Sequence, residues 1–253
     1  MRFLRKKQKK ICVLGNSHVT SLKRYWDESA DQHPWDLTFF GAGTPFLRGI
    51  VPQKGALECK RIEGKRSFER TSGGQQVIQV NDYAHFCVLG ALSGSKVVGL
   101  LSEIDAAAER GMPYSSEFIG HLYDQFFDKS LAKVLLEKLR KVTDKPIVLS
   151  GGPLPSERIQ KQKYVRKITP ERQDFCLKLL QDFEIRMENR LEEYDAKFLR
   201  WPSAPRVSGL FNQHQYMAGS MALNGGTQEK YPQHDLIHGN AAYGELLATA
   251  LSF

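Results

Sequence analysis

Ser17, Asp235 and His238 are residue types that together could perform nucleophilic chemistry. Ser17 follows a short apolar run ending in Gly15, in "KKICVLGNSHVTSLKRYW", at what reads as a strand-to-helix corner. A serine there either caps the helix by accepting a backbone N–H or stands as a nucleophile at the edge of a sheet. A nucleophilic serine needs a base near neutral pH, and the stretch "YPQHDLIHGNAAYG" supplies one. Asp235 and His238 are three residues apart, a spacing that sets a carboxylate against the Nδ1 side of an imidazole. Nε2 is then left to take the Ser17 proton. By spacing alone the pair is a weak signal, since DxxH arises often by chance.

The same histidines invite a metal reading. His234 and His238 are four apart, with Asp235 between them. A metalloprotease helix has a glutamate beside its first histidine, and "HDLIH" lacks it, so no metal is expected. Neither GxGxxG nor GxxxxGK[ST] occurs, and no cofactor is expected. Glycines at "FFGAGTP" let backbone approach a ligand closely. His33, His85, His121 and His214 have no partner pattern, and His18 either lines a pocket or is structural. "FNQHQYMAGS" either shapes a substrate pocket or packs as an ordinary segment.

These residues must be positioned by something, and the pattern is of short apolar runs alternating with helical stretches. Strands are expected at about 10–14, at "WDLTFF", at "HFCVLG", at "PIVLSGG" and at "KFLRW". "HFCVLG" is almost continuously apolar, as suits a strand buried on both faces. Helices are expected from Val19 to Ala30, over "SLAKVLLEKLRK", and from Thr169 as N-cap through "PERQDFCLKLLQDFEIRMENRLEEY". In the last of these, Phe175, Leu179, Leu180, Phe183, Met187 and Leu191 form a core stripe. "NAAYGELLATALSF" closes the chain as a helix packing Tyr243, Leu246, Leu247 and Leu251. The charged stretch at about 56–80, centred on Gly73 and Gly74, reads as an inserted hairpin. A parallel sheet flanked by helices follows, in one domain over 1–253. Its ligand crevice is expected beyond the carboxyl ends of the strands.

Composition narrows the function classes. The chain has 253 residues, four separated cysteines and a net charge of +8. Cys12 and Cys87 lie inside apolar runs and no CxxC occurs, so buried thiols and a reducing, cytoplasmic setting are expected. No apolar run approaches the roughly 20 residues of a membrane span. Much of the charge sits in an N-terminal arm of Arg2, Arg5, Lys6, Lys7, Lys9 and Lys10. That arm is either a solvated face or a contact for an anionic partner, and no zinc-finger, RRM or helix-turn-helix signature points to nucleic acid.

"GNSH" after a first strand, with "DLIHGN" before a last helix, resembles the SGNH (GDSL-like) hydrolase superfamily. The two blocks lie near opposite ends of the chain, as in that family. The resemblance implies a flavodoxin-like three-layer α/β/α sandwich with Ser17 as nucleophile, His238 as base and Asp235 as orienting acid. It implies an oxyanion donor at Gly41 or Gly43, and Asn16 stands where the family has Asp. The family's third-block asparagine is absent, because "GALSG" has Leu92 there. Ser93, Asn212, Asn224 or a backbone group is expected to substitute. The implied activity is removal of an O-acyl group from a carbohydrate or small-molecule ester. Acyl transfer to a sugar, or non-catalytic carbohydrate binding on a degenerate scaffold, are the alternatives.

Overall fold

The computed structural model describes residues 9–161, 168–207, 209–222, 231 and 235–251. Arg2, Arg5, Lys6 and Lys7 of the basic arm, Asn224 and His234 lie outside the described residues. Lys9 and Lys10 open the first strand and are exposed.

Among the described residues five strands build the central sheet: β1 (Lys9–Gly15), β2 (Trp35–Gly41), β6 (His85–Leu89), β7 (Ile147–Ser150) and β8 (Ala196–Leu199). Three short strands, β3 (Ile50–Gln53), β4 (Ala56–Cys59) and β5 (Val77–Gln79), form a separate antiparallel sheet. A two-residue pair, β9 (Arg206–Val207) and β10 (Phe211–Asn212), follows. The helices are α1 (Val19–Ser29), α2 (Thr44–Arg48), α3 (Ile62–Ser72), α4 (Gly94–Glu109), α5 (Ser116–Lys129), α6 (Leu131–Arg140), α7 (Gln173–Glu192) and α8 (Ala241–Ala250).

The central strands are all parallel, in the order β2-β1-β6-β7-β8. Alternation along each strand sorts side chains to two faces. Ile11, Val13, Phe39, Cys87, Leu89 and Val148 meet α1 and α8 through Leu22, Trp26, Tyr243 and Leu247. Cys12, Leu14, Phe40, Phe86, Val88 and Leu149 face the opposite core, into which α4, α6 and α7 send Leu101, Leu135 and Phe183. The result is a three-layer α/β/α sandwich. Sequential connections run to both sides of β1, so the strand order reverses between β1 and β6. Ligand crevices of open parallel sheets form at such a reversal, beyond the carboxyl ends. Register places three of those ends together: Gly15 pairs with Gly41 on one side and Leu89 on the other.

The stretch 56–80 departs from the expected hairpin. Its ends, β4 and β5, do pair antiparallel, but the eleven-residue α3 stands between them. Gly64, Ser67, Phe68 and Thr71 recur every three or four residues and are buried, a helical period that the charged residues around them mask in the sequence. Gly73, at φ +79, ends α3 rather than turning a hairpin.

The long helix starts later than expected. Thr169 and Pro170 lead a 3₁₀ turn over Pro170–Arg172, without a capping bond from the Thr169 side chain, and α7 begins at Gln173. Its core stripe holds, with Phe175 and Cys176 at its upper end. In α8, Leu246 is half-buried beside buried Tyr243 and Leu247.

Candidate active site

Close backbone packing sets the corner after β1. A Cβ on Gly15 would lie 1.9 Å from the Leu89 carbonyl oxygen, so only glycine lets β1 end this close to β6. Asn16 then bridges the two strand ends. Its Nδ2 donates to the Gly90 carbonyl at 2.9 Å, and its Oδ1 accepts the His18 N–H at 3.1 Å. Asn16 is thus a brace for the turn that carries Ser17. Gly90 sits at φ +75, where a Cβ would meet Asn16 Oδ1 and His18 Cβ at 2.6 Å each.

Ser17 is not a helix cap. The cap position of α1 is His18, with no side-chain capping bond. The Ser17 hydroxyl lies 2.9 Å from His238 Nε2 instead. α1 and α8 pack side by side, so the residues before their first turns become neighbours although 221 positions apart. Asn240 fixes the approach to α8: its Oδ1 accepts the Tyr243 N–H, and its Nδ2 donates to the carbonyls of Gln215 and Ala218. The segment "FNQHQYMAGS" therefore packs under this loop, and its Asn212 is buried against the Leu154 carbonyl.

Asp235 makes the turn before His238. Oδ1 accepts the N–H groups of Ile237 and His238 at 2.9 and 3.1 Å, and Oδ2 lies 2.7 Å from His238 Nδ1. A carboxylate only accepts, so Nδ1 carries the proton and Nε2 is left to accept from Ser17. Burial alone would raise the Asp235 pKa. The hydrogen bond from His238 and those from the backbone outweigh it and hold the carboxyl below its ordinary value.

Two rings flank His238. Tyr231 stacks on it with centroids 3.9 Å apart and planes 10° from parallel, and His18 lies at 4.7 Å with a 30° tilt. Burial, reinforced by the nearby His238, lowers the His18 pKa to about 3 against a smaller opposing pull from Asp235. His18 is thus neutral and packs against the His238 ring, and it does not line the cleft. Burial raises the Tyr231 phenol, with a contact to the Ser17 side chain pulling it back down.

Ser17 opens into a cleft of about 500 Å³, walled by Asn16, Gly43, Thr44, Phe46 and Tyr231, and by Glu63, Arg66 and Arg70 of α3. Of the two glycines considered, Gly41 is excluded as a donor. Its N–H is given to Thr71 Oγ1 at 2.9 Å, and its carbonyl accepts from Ser67 Oγ. Gly43 lines the cleft, and among the described residues neither its N–H nor that of Ser17 has a hydrogen-bond acceptor. Leu92 is fully buried in the core. Ser93 does not replace the missing asparagine, because it caps α4 by accepting from Lys96 N–H. Among the described residues no group of three or more His, Cys, Asp or Glu could hold a metal ion, and no helix is long and apolar enough to cross a membrane.

No family model matches the chain, and no curated protein matches it. Solved structures similar to it include the lipase Lip_vut3 from goat rumen metagenome, at 11% identity and TM-score 0.43, covering 96% of this chain and 97% of that one. Phospholipase A1 from Streptomyces albidoflavus NA297 is similar at 11% identity and TM-score 0.45, covering 96% and 100%. The SGNH membership expected from the sequence, and with it the SGNH-specific form of the fold, is withdrawn, since no family model shows it. The similar structures are described as a lipase and a phospholipase A1. What stands is the three-layer α/β/α sandwich.

Tyr231 and the arginines of α3 escaped the sequence reading. Arg66 and Arg70 are four apart on a helix, a signal hidden once 56–80 is read as a hairpin. Tyr231 had no spacing to single it out.

Proposed function

We propose that the protein is a serine esterase that removes an O-acyl group from a small-molecule or carbohydrate ester through an acyl-enzyme. The observation that carries this reading is the unbroken line from Ser17 Oγ to His238 Nε2 at 2.9 Å and from His238 Nδ1 to Asp235 Oδ2 at 2.7 Å. Ser17 attacks the acyl carbonyl as its proton passes to Nε2, and Asp235 stabilises the resulting imidazolium. The oxyanion takes hydrogen bonds from the N–H groups of Ser17 and Gly43. The Tyr231 hydroxyl, kept protonated by burial, serves as the third donor in place of the side chain that Leu92 lacks. His238 returns its proton to the departing alcohol oxygen and the C–O bond breaks. A water then gives its proton to Nε2, attacks the acyl-enzyme and releases the acid, and His238 reprotonates Ser17.

The test is turnover of a panel of O-acyl esters, acetylated sugars included, by the native chain and by Ser17→Ala and His238→Ala. Ester cleavage is expected in the native chain, falling by roughly 10⁴- to 10⁶-fold in either variant. Undiminished cleavage in Ser17→Ala would remove the proposal.

A further inference from the structure

The α3 wall of the cleft brings two arginines, Arg66 and Arg70, to the pocket that Ser17 lines. α3 packs onto the end of β2 through a small, polar face. Ser67 and Thr71 hold both backbone groups of Gly41, and a Cβ on Gly64 would press within 2.9 Å of Cys59. That docking fixes which stripe of α3 meets the cleft, and the stripe is Glu63, Arg66 and Arg70. Lys65, one position away, is taken by Glu58, and Glu69 accepts from Gln76. Among the described residues Arg66 and Arg70 form no ion pair, and Glu63 is the one carboxylate lining the cleft with them. Two guanidinium groups one turn apart beside the nucleophile offer several N–H donors in a planar fork, suited to the oxygens of a phosphate or carboxylate.

We infer that Arg66 and Arg70 form an anion subsite, so that the ester taken by this cleft carries a phosphate or carboxylate away from its scissile bond. The inference rests on the esterase reading for the place of the scissile bond, but binding of the anion does not require turnover. Glu63 sets a limit on the subsite's charge and favours a ligand that also carries a hydroxyl for the carboxylate to accept.

Binding is measured by calorimetry on Ser17→Ala, with three acetyl esters: 1-acetylglycerol, its 3-phosphate, and acetoxyacetate. At least one anionic ester is expected to bind about tenfold or more tighter than the neutral one, with the difference shrinking as salt is added. The phosphate and carboxylate arms identify which anion is preferred. Arg66→Gln with Arg70→Gln should erase the difference, and Glu63→Gln should enlarge it. Equal binding of all three esters, or a preference that survives in the double arginine variant, overturns the subsite. Failure of the native chain to cleave any of the three, with the binding preference intact, counts against the esterase reading and leaves the subsite standing.

Discussion

The Tyr231 ring lies flat on the His238 imidazole, centroids 3.9 Å apart and planes 10° from parallel. One side chain thereby packs flat on the His238 imidazole and also brings a phenol to the Ser17 side chain. Tyr231→Phe separates the two roles, because it keeps the stack and removes the hydroxyl. If that hydroxyl is the third oxyanion donor, kcat falls by on the order of 10²-fold with KM little changed. A kcat within twofold of the native value would assign the oxyanion to backbone donors alone.

Asp235→Asn keeps the shape of the turn but loses the carboxylate that fixes the Nδ1–H tautomer. By analogy with the best-studied serine triads, kcat should fall about 10⁴-fold. Acid unfolding gives a second readout. Because the folded-state pKa of Asp235 is lowered, its ionised form adds stability above the ordinary carboxylate value, and this is lost as pH falls through the folded value. Urea midpoints measured between pH 6 and pH 2 should therefore fall less steeply in Asp235→Asn at the acid end. Parallel curves would contradict the assigned shift.

How much of this was legible in the sequence differs from one element to the next. The five central strands stood out because each is a short apolar run between breakers, and the Ser17 and DxxH blocks flank the helices that bring them together. The stretch 56–80 did not, because α3 buries glycine, serine and threonine where a pattern search looks for leucine. Choosing Gly43 over Gly41 needed coordinates, since only the Thr71 hydroxyl, thirty residues away, distinguishes their N–H groups. The same holds for Tyr231, which stacks on a residue seven positions ahead.

His18 gives a pH effect of its own. Its pKa is ordinary in the unfolded chain, near 6.5, and about 3 in the folded one. Between those values the unfolded chain binds the extra proton, so stability drops as pH falls, by up to about 1.4 kcal/mol per pH unit. His18→Gln removes the titration. Its unfolding free energy should lose about one proton's worth of slope between pH 6 and pH 4 relative to the native chain, and an unchanged slope would refute the shift.

Gly90→Ala tests the corner itself. The position combines φ +75 with contacts of 2.6 Å to Asn16 and His18. The conformational and steric terms together should cost about 2–5 kcal/mol. Loss of activity is expected at temperatures where the variant is still folded, because the Asn16 brace under Ser17 is displaced. A stable and fully active variant would mean that the brace does not position Ser17.

The central claim is that Ser17 is activated by His238. Intact-mass analysis after exposure to a fluorophosphonate, with peptide mapping of the adduct, addresses it without any assumption about substrate. A single adduct on Ser17 is predicted, absent in Ser17→Ala and slowed by orders of magnitude in His238→Ala. No adduct on the native chain, or an adduct that persists in Ser17→Ala, would contradict the account.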